Sequence, residues 1–99
     1  MNILEPQIIY GTAWKEQRTA DLVELALDTG FRAIDTANQA KHYQEALVGE
    51  ALTRAKFKRE ELFLQTKYTS VGGQDHRLPY DQNADYATQV QQSFASSLE

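Results

Sequence analysis

Three short apolar runs, at residues 7–10, 31–34 and 62–66, are each followed by a stretch of helical periodicity, and this succession constrains the fold more than any other property of the sequence. The intervals between runs are too long for hairpin turns and long enough to hold a helix. Such strands pair in parallel and send their helices to the outside of the sheet. The expected class is therefore α/β, built from repeated strand-helix units of similar size. That regularity suits a (β/α) barrel, although three units are under half of a barrel that typically needs about 250 residues.

The first run, Gln7-Ile8-Ile9-Tyr10, is β-favouring and lies between Pro6 and Gly11; Gly11-Thr12-Ala13-Trp14 is its expected exit loop. Thr19 is a candidate cap for a helix whose apolar positions are Leu22, Val23, Ala26 and Leu27. Gly30 can take the left-handed conformation that ends a helix, after which Phe31, Ala33 and Ile34 form the second strand and Asp35 stands where it stops. Ala46, Leu47, Ala51, Leu52 and Ala55 define the second helix, with Glu45 and Glu50 on its polar side. Gly49 lies inside it at a cost of about 1 kcal/mol relative to alanine, and close packing against a strand would account for it. The third run, Leu62-Phe63-Leu64-Gln65-Thr66, has Lys67 at its carboxyl end. A long loop with Gly72-Gly73 and Pro79 follows, then a helix with Tyr86, Val90, Phe94 and Leu98 at intervals of four and with Asn83 and Asp85 as capping candidates.

With 99 residues, 41% hydrophobic and 24% charged, the sequence is that of an ordinary globular chain of one domain at most. A chain this short buries roughly 60–65% of its unfolded surface, enough for a modest core. Its net charge of −4 and lack of a Lys/Arg run argue against nucleic acid as a partner. The absence of cysteine excludes disulfides and thiolate metal sites, and no metal is expected. No apolar run approaches the roughly 20 residues that span a bilayer, and the first residues do not read as a secretory signal, so no membrane partner is expected and the cytoplasm is the default location.

Candidate chemistry collects at the carboxyl ends of the strands, where strand-helix folds carry variable loops. Asp35 and Lys67 lie at equivalent ends of neighbouring strands, and Tyr43 lies in the loop at the mouth of the second helix. A tyrosine hydroxyl titrates near 10, a nearby ammonium favours its ionised form, and a carboxylate in turn partners the ammonium. Asp35, Lys67 and Tyr43 thus form a candidate general acid/base with its tuning pair. The residues alone leave open a structural Asp-Lys ion pair beside a packed Tyr. For Trp14 they leave open plain packing, and for Asp35 a loop cap. His42 and His76 read as loop residues.

Gly30-Phe31-Arg32-Ala33-Ile34-Asp35-Thr36-Ala37, Tyr43 with Glu45-Ala46-Leu47-Val48-Gly49, Leu62-Phe63-Leu64-Gln65-Thr66-Lys67, and Gly11-Thr12-Ala13-Trp14 resemble the successive signature segments of the aldo-keto reductases. The resemblance spans nearly the whole chain, in order. It implies a TIM (β/α)8 barrel of which residues 1–99 are the N-terminal portion, about the first three βα units. It also implies NADPH-dependent reduction of aldehydes or ketones to alcohols, with a small carbonyl compound as substrate. The family's catalytic aspartate, tyrosine and lysine fall on Asp35, Tyr43 and Lys67. Gly11, Thr12, Ala13 and Asp35 fall near the nicotinamide end of the cofactor and Trp14 near the substrate. The sequence departs from the family in two respects. The interval from Asp35 to Tyr43 is longer than usual, and the family's catalytic histidine and its segments for the cofactor's phosphate and adenine have no counterpart in these 99 residues. Gly72-Gly73 lacks the G-x-G-x-x-G spacing that would replace those segments. The alternative is a non-catalytic barrel fragment that self-associates or binds another polypeptide, because an incomplete parallel sheet leaves strand edges to be covered.

Overall fold

The computed structural model describes residues 8–99. Three strands, β1 (Tyr10–Gly11), β2 (Ala33–Asp35) and β3 (Phe63–Gln65), form one parallel sheet in the order β1-β2-β3. Helices α1 (Thr19–Thr29), α2 (Glu45–Arg54) and α3 (Tyr86–Ser97) follow the strands in turn. The expected alternation of parallel strands and helices is therefore present.

The first strand lies later than expected. Ile8 and Ile9 are 67% and 40% exposed, Gln7 lies outside the described residues, and pairing with β2 begins at Tyr10 opposite Ile34. The strands are short but their ladders run on, with the Phe63 N–H donating to the Arg32 carbonyl and the Thr36 N–H to that of Gln65. Gly11, expected in a loop, pairs with Asp35, and the Thr12 N–H continues this contact.

Thr19 does not cap α1. A 3-10 turn at Glu16–Arg18 precedes the helix, Arg18 takes the cap position, and the buried Thr19 hydroxyl donates back to the Glu16 carbonyl at 2.6 Å. Gly30, at φ 127°, ends the helix, and its N–H and that of Phe31 bond the last-turn carbonyls. The Arg32 guanidinium adds a bond to the Leu27 carbonyl and lies 3.8 Å from the centroid of Phe57.

The core sits between α1, α2 and the helix-facing side of the sheet: Ala20, Val23, Leu27, Ile34, Val48, Ala51 and Leu62, flanked by Tyr10, Leu47, Leu52 and Leu64. Two expectations for α2 change. Ala46 is exposed while Val48 is buried, and Gly49 has nothing within 4 Å of where a Cβ would stand, so it is not packed against a strand.

Helix α3 is where the periodicity predicts it, and Asp85 caps it, accepting from the Thr88 N–H at 2.8 Å. Its apolar stripe is nevertheless left uncovered, with Phe94 and Leu98 along an open groove against α2 and the sheet. Tyr86, Val90, Phe94 and Leu98 are exposed, and the residues turned inward are Gln89 and Ser93. The Tyr68 hydroxyl donates to Gln89 Oε1 at 2.6 Å, and Asn38 Nδ2 donates to the Ser93 carbonyl at 2.8 Å. Ser97 Oγ donates to Glu45 Oε1 at 2.8 Å, and Thr66 Oγ1 donates to the other oxygen of the same carboxylate. Glu45 is therefore a tie between α2, the end of β3 and α3, not a solvated polar-face residue.

This arrangement fixes where substitutions act. Leu27→Ala, at a fully buried site, is expected to lower unfolding free energy by about 2–5 kcal/mol in urea titrations. Val90→Ser, on the uncovered stripe, is expected to stay within about 0.5 kcal/mol.

Candidate active site

The parallel register places Gly11, Asp35 and Gln65 side by side at the carboxyl end of the sheet. Successive strand residues point to opposite faces, so Asp35 and Gln65 share a face that Ile34 and Leu64 do not. Gln65 Nε2 donates to Asp35 Oδ1 at 2.7 Å, and Lys67 Nζ reaches both carboxylate oxygens at 2.7 and 2.6 Å. The backbone of Asp35 is held as firmly, because its carbonyl accepts both the Thr12 N–H (3.2 Å) and the Thr12 hydroxyl (2.8 Å).

Lys67 Nζ also lies 5.3 Å from the ring centroid of Tyr43, within cation–π range. The three residues singled out as an acid/base set are thus brought together: carboxylate to ammonium by direct bonds, ammonium to phenol across the ring face. The Lys67 side chain is 40% exposed and that of Asp35 18%. A pair so placed contributes little net stability, in the range of 0–1 kcal/mol for exposed pairs, but it orients its members.

Trp14 stands on the rim, 69% exposed and at the uncommon φ of 64°. Its backbone N–H donates to the His42 carbonyl at 2.8 Å, and its indole lies against the His42 ring with centroids 3.9 Å apart. His42 is therefore a stacked neighbour of Trp14, a contact that the sequence did not disclose. His76 is an exposed loop residue, as expected. Thr12 is fully buried, with its hydroxyl committed to Asp35, whereas a Cβ on Gly11 would meet nothing within 4 Å.

Sequence reasoning missed Gln65, whose contact follows from its being the in-register neighbour of Asp35. It also missed the meeting of two loops, 36–43 and 69–80. Gln39 Nε2 donates to the Gly73 carbonyl at 2.8 Å, and Arg77 donates to that of Ala40 at 3.0 Å. Hydrogen bonds from Arg77, side chain first and backbone second, hold the Asp75 carboxyl down at about 2. Burial, with the neighbouring Tyr68 second, pushes the Tyr80 phenol up, and its hydroxyl donates to the Thr69 carbonyl at 2.7 Å. Among the described residues no group of three or more His, Cys, Asp or Glu could hold a metal ion, and no helix is long and apolar enough to cross a membrane.

Fold and site together define a chain of the strand-helix class whose polar cluster occupies the carboxyl ends of parallel strands. The profile of the Aldo/keto reductase family matches residues 7–99. The methylglyoxal reductase DkgA of Escherichia coli is 35% identical over 88 residues, 87% of this chain and 30% of that protein. The 6-dehydroglucose reductase of Novosphingobium aromaticivorans is 42% identical over 74 residues, 68% of this chain and 23% of that protein. No solved structure gives a significant match. The chain belongs to the aldo/keto reductase family, and it spans less than a third of the length of these relatives.

The Asp75–Arg77 pair offers a test of loop order. A carboxyl whose folded pKa lies below its unfolded value contributes stability that is present above the unfolded value, near 4, and lost as pH falls through the folded one. Asp75 is therefore expected to titrate in NMR near its folded value of about 2, and Arg77→Ala is expected to return it to the ordinary carboxylate range.

Proposed function

We propose that this chain forms the N-terminal three βα units of a (β/α)8 barrel that reduces the carbonyl group of small aldehydes or ketones to an alcohol with NADPH. The observation that carries the reading is the Asp35–Lys67 ion pair with its ammonium against Tyr43, at the carboxyl end of parallel strands. Family membership supports it, as do the names of the two relatives, one a reductase of methylglyoxal and one of 6-dehydroglucose.

The residues present suit one end of the cofactor. Gly11 leaves open space beside Asp35, and each Asp35 oxygen keeps acceptor capacity beyond its bonds to Lys67 and Gln65. They supply no phosphate cradle of their own: a Cβ on Gly73 would meet Thr69 Cγ2 at 2.7 Å, so that glycine serves loop packing. Gly11, Thr12, Ala13 and Asp35 would accordingly hold the nicotinamide end, with Thr12 acting through the Asp35 backbone. When bound, NADPH supplies the hydride that goes to the carbonyl carbon. Tyr43 donates the phenolic proton to the carbonyl oxygen. Lys67 stabilises the negative charge that then develops on the phenol, and Asp35 with Gln65 keeps the ammonium in place. Trp14 and the stacked His42 wall the substrate side against water.

The uncovered stripe of α3 favours a second reading, a non-catalytic barrel fragment that self-associates or binds another polypeptide. Energetics separate the two for the 99-residue chain. Acid/base assistance contributes about 10²–10⁴-fold, whereas holding carbonyl and nicotinamide in near-attack geometry contributes roughly 7–11 kcal/mol. The larger share rests on cofactor binding, which calls for phosphate and adenine contacts beyond these residues.

Isolated, the chain is expected to show no saturable NADPH binding by Trp14 fluorescence titration and no carbonyl reduction. Micromolar saturation would instead locate the whole cofactor site within it. In a polypeptide that completes the barrel, Tyr43→Phe is expected to lower kcat by about 10²–10⁴. An unchanged kcat would remove Tyr43 from the mechanism. Sedimentation and denaturation of the isolated chain bear on the second reading, and a compact, cooperatively unfolding monomer would count against it.

A further inference from the structure

Tyr43 is separated from the end of β2 by the irregular segment 36–42. A free connection of that length would not place a side chain against Lys67, because each unconstrained residue carries roughly 1–2 kcal/mol of backbone entropy. We propose that the loop 69–80 is a strap that positions Tyr43, with Gln39 and Arg77 as the positioning residues. The inference rests on the role given to Tyr43 above and adds residues that neither the fold nor the family comparison assigns.

Gln39 is the junction. Its carbonyl accepts the Tyr43 N–H at 3.0 Å, its Oε1 accepts the His42 N–H at 3.0 Å, and its Nε2 donates to the Gly73 carbonyl at 2.8 Å, 34 residues away in sequence. One side chain thus joins the backbone just before Tyr43 to the strap. On either side of it the strap bonds the same segment again: Gln74 Nε2 donates to the Asn38 carbonyl at 3.0 Å and Arg77 Nη2 to the Ala40 carbonyl at 3.0 Å. The strap is itself anchored, by the Tyr80 hydroxyl and by Gln74 Nε2 on the Thr69 carbonyl. Asp75 aligns Arg77, its Oδ1 accepting from the Arg77 N–H at 2.9 Å and both oxygens from the guanidinium. A charge-assisted bond of this kind is roughly twice as strong as a neutral one, which suits a guanidinium that must also hold the Ala40 carbonyl. Position passes from the strap to Gln39 and Ala40, then to His42 and Tyr43. Trp14 reports on it, since its indole stacks on His42 and its backbone N–H bonds the His42 carbonyl. The sequence contains one Trp, so its emission is unambiguous.

The test uses the 99-residue chain without cofactor or carbonyl compound, so its outcome for the strap is read separately from the outcome for the reductase reading. Amide hydrogen exchange by NMR is compared between the wild type, Gln39→Ala, Arg77→Ala and Arg77→Lys, with Val23 and Leu27 as internal references for the core. In both alanine variants the His42 and Tyr43 amides are expected to exchange about tenfold faster or more while the core amides keep their rates. Trp14 emission is expected to shift in the same two variants. Arg77→Lys, which keeps a cation for Asp75 and a donor for Ala40, is expected to recover most of the protection. Wild-type exchange at His42 and Tyr43 in both alanine variants would overturn the proposal. So would an equal rise at Val23 and Leu27, which would mean that the substitutions loosen the whole fold instead of releasing one segment.

Discussion

Asp35 is the residue on which the three strands converge. Its carbonyl takes two bonds from Thr12 at the end of β1, and its carboxylate takes Lys67 and Gln65 from the end of β3. A parallel pair of strands has no hairpin to fix its register, so register depends on side-chain pattern and on contacts of this kind. Here the polar cross-links lie at one end of the sheet, whereas the apolar contacts of Ile34 and Leu64 are spread along its helix-facing side. The arrangement that orders the strand ends is also the one that arrays carboxylate, ammonium and phenol, so fold and candidate chemistry share their contacts.

One-residue alternation divides labour along the strands. Ile34, Thr36, Leu64 and Thr66 face the helices, and Asp35, Gln65 and Lys67 face the other way. Glu45 exploits the helix side by binding Thr66 and Ser97 from the start of α2, so both faces of the sheet end carry a carboxylate with its own partners. A register slip of one residue at β3 would exchange Leu64 with Gln65 and break the apolar core and the Asp35 cluster together. The two faces specify the same register.

What the sequence disclosed follows from the range over which each signal acts. Helix positions, the Gly30 stop and the Asp85 cap depend on neighbours within one or two turns and were legible. The pairing of Asp35 with Lys67 was legible as well, because equivalent ends of parallel strands lie together whatever the side chains, whereas the approach of Tyr43 depends on how the segment 36–42 is held. Contacts set by tertiary detail were not. Thr19 looks like a cap until the turn at Glu16–Arg18 supplies a nearer carbonyl, and Gly49 looks like a packing glycine until α2 is seen to present it to open space. Gln39 carries no motif at all, and its importance appears only once a loop 34 residues away is folded against it.

Helix α3 shows most clearly why periodicity alone cannot assign an inward face. Its apolar stripe would favour burial by roughly 1.5–3 kcal/mol for each large side chain, against about 0.5–1.5 kcal/mol for each of the hydrogen bonds made through Gln89, Ser93 and Ser97. Phe94 and Leu98 instead border an open groove of about 270 Å³ whose other walls include Ile34, Val48, Leu52 and Leu64. The polar contacts fix the helix by direction, and the apolar surface is left as unrealised association energy. That groove lies on the helix-facing side of the sheet, opposite the face that carries Asp35 and Lys67. Apolar surface that covers it can therefore close the core without displacing Asp35 or Lys67, whereas Gln65, which borders the groove and also bonds Asp35, ties association to the candidate active site.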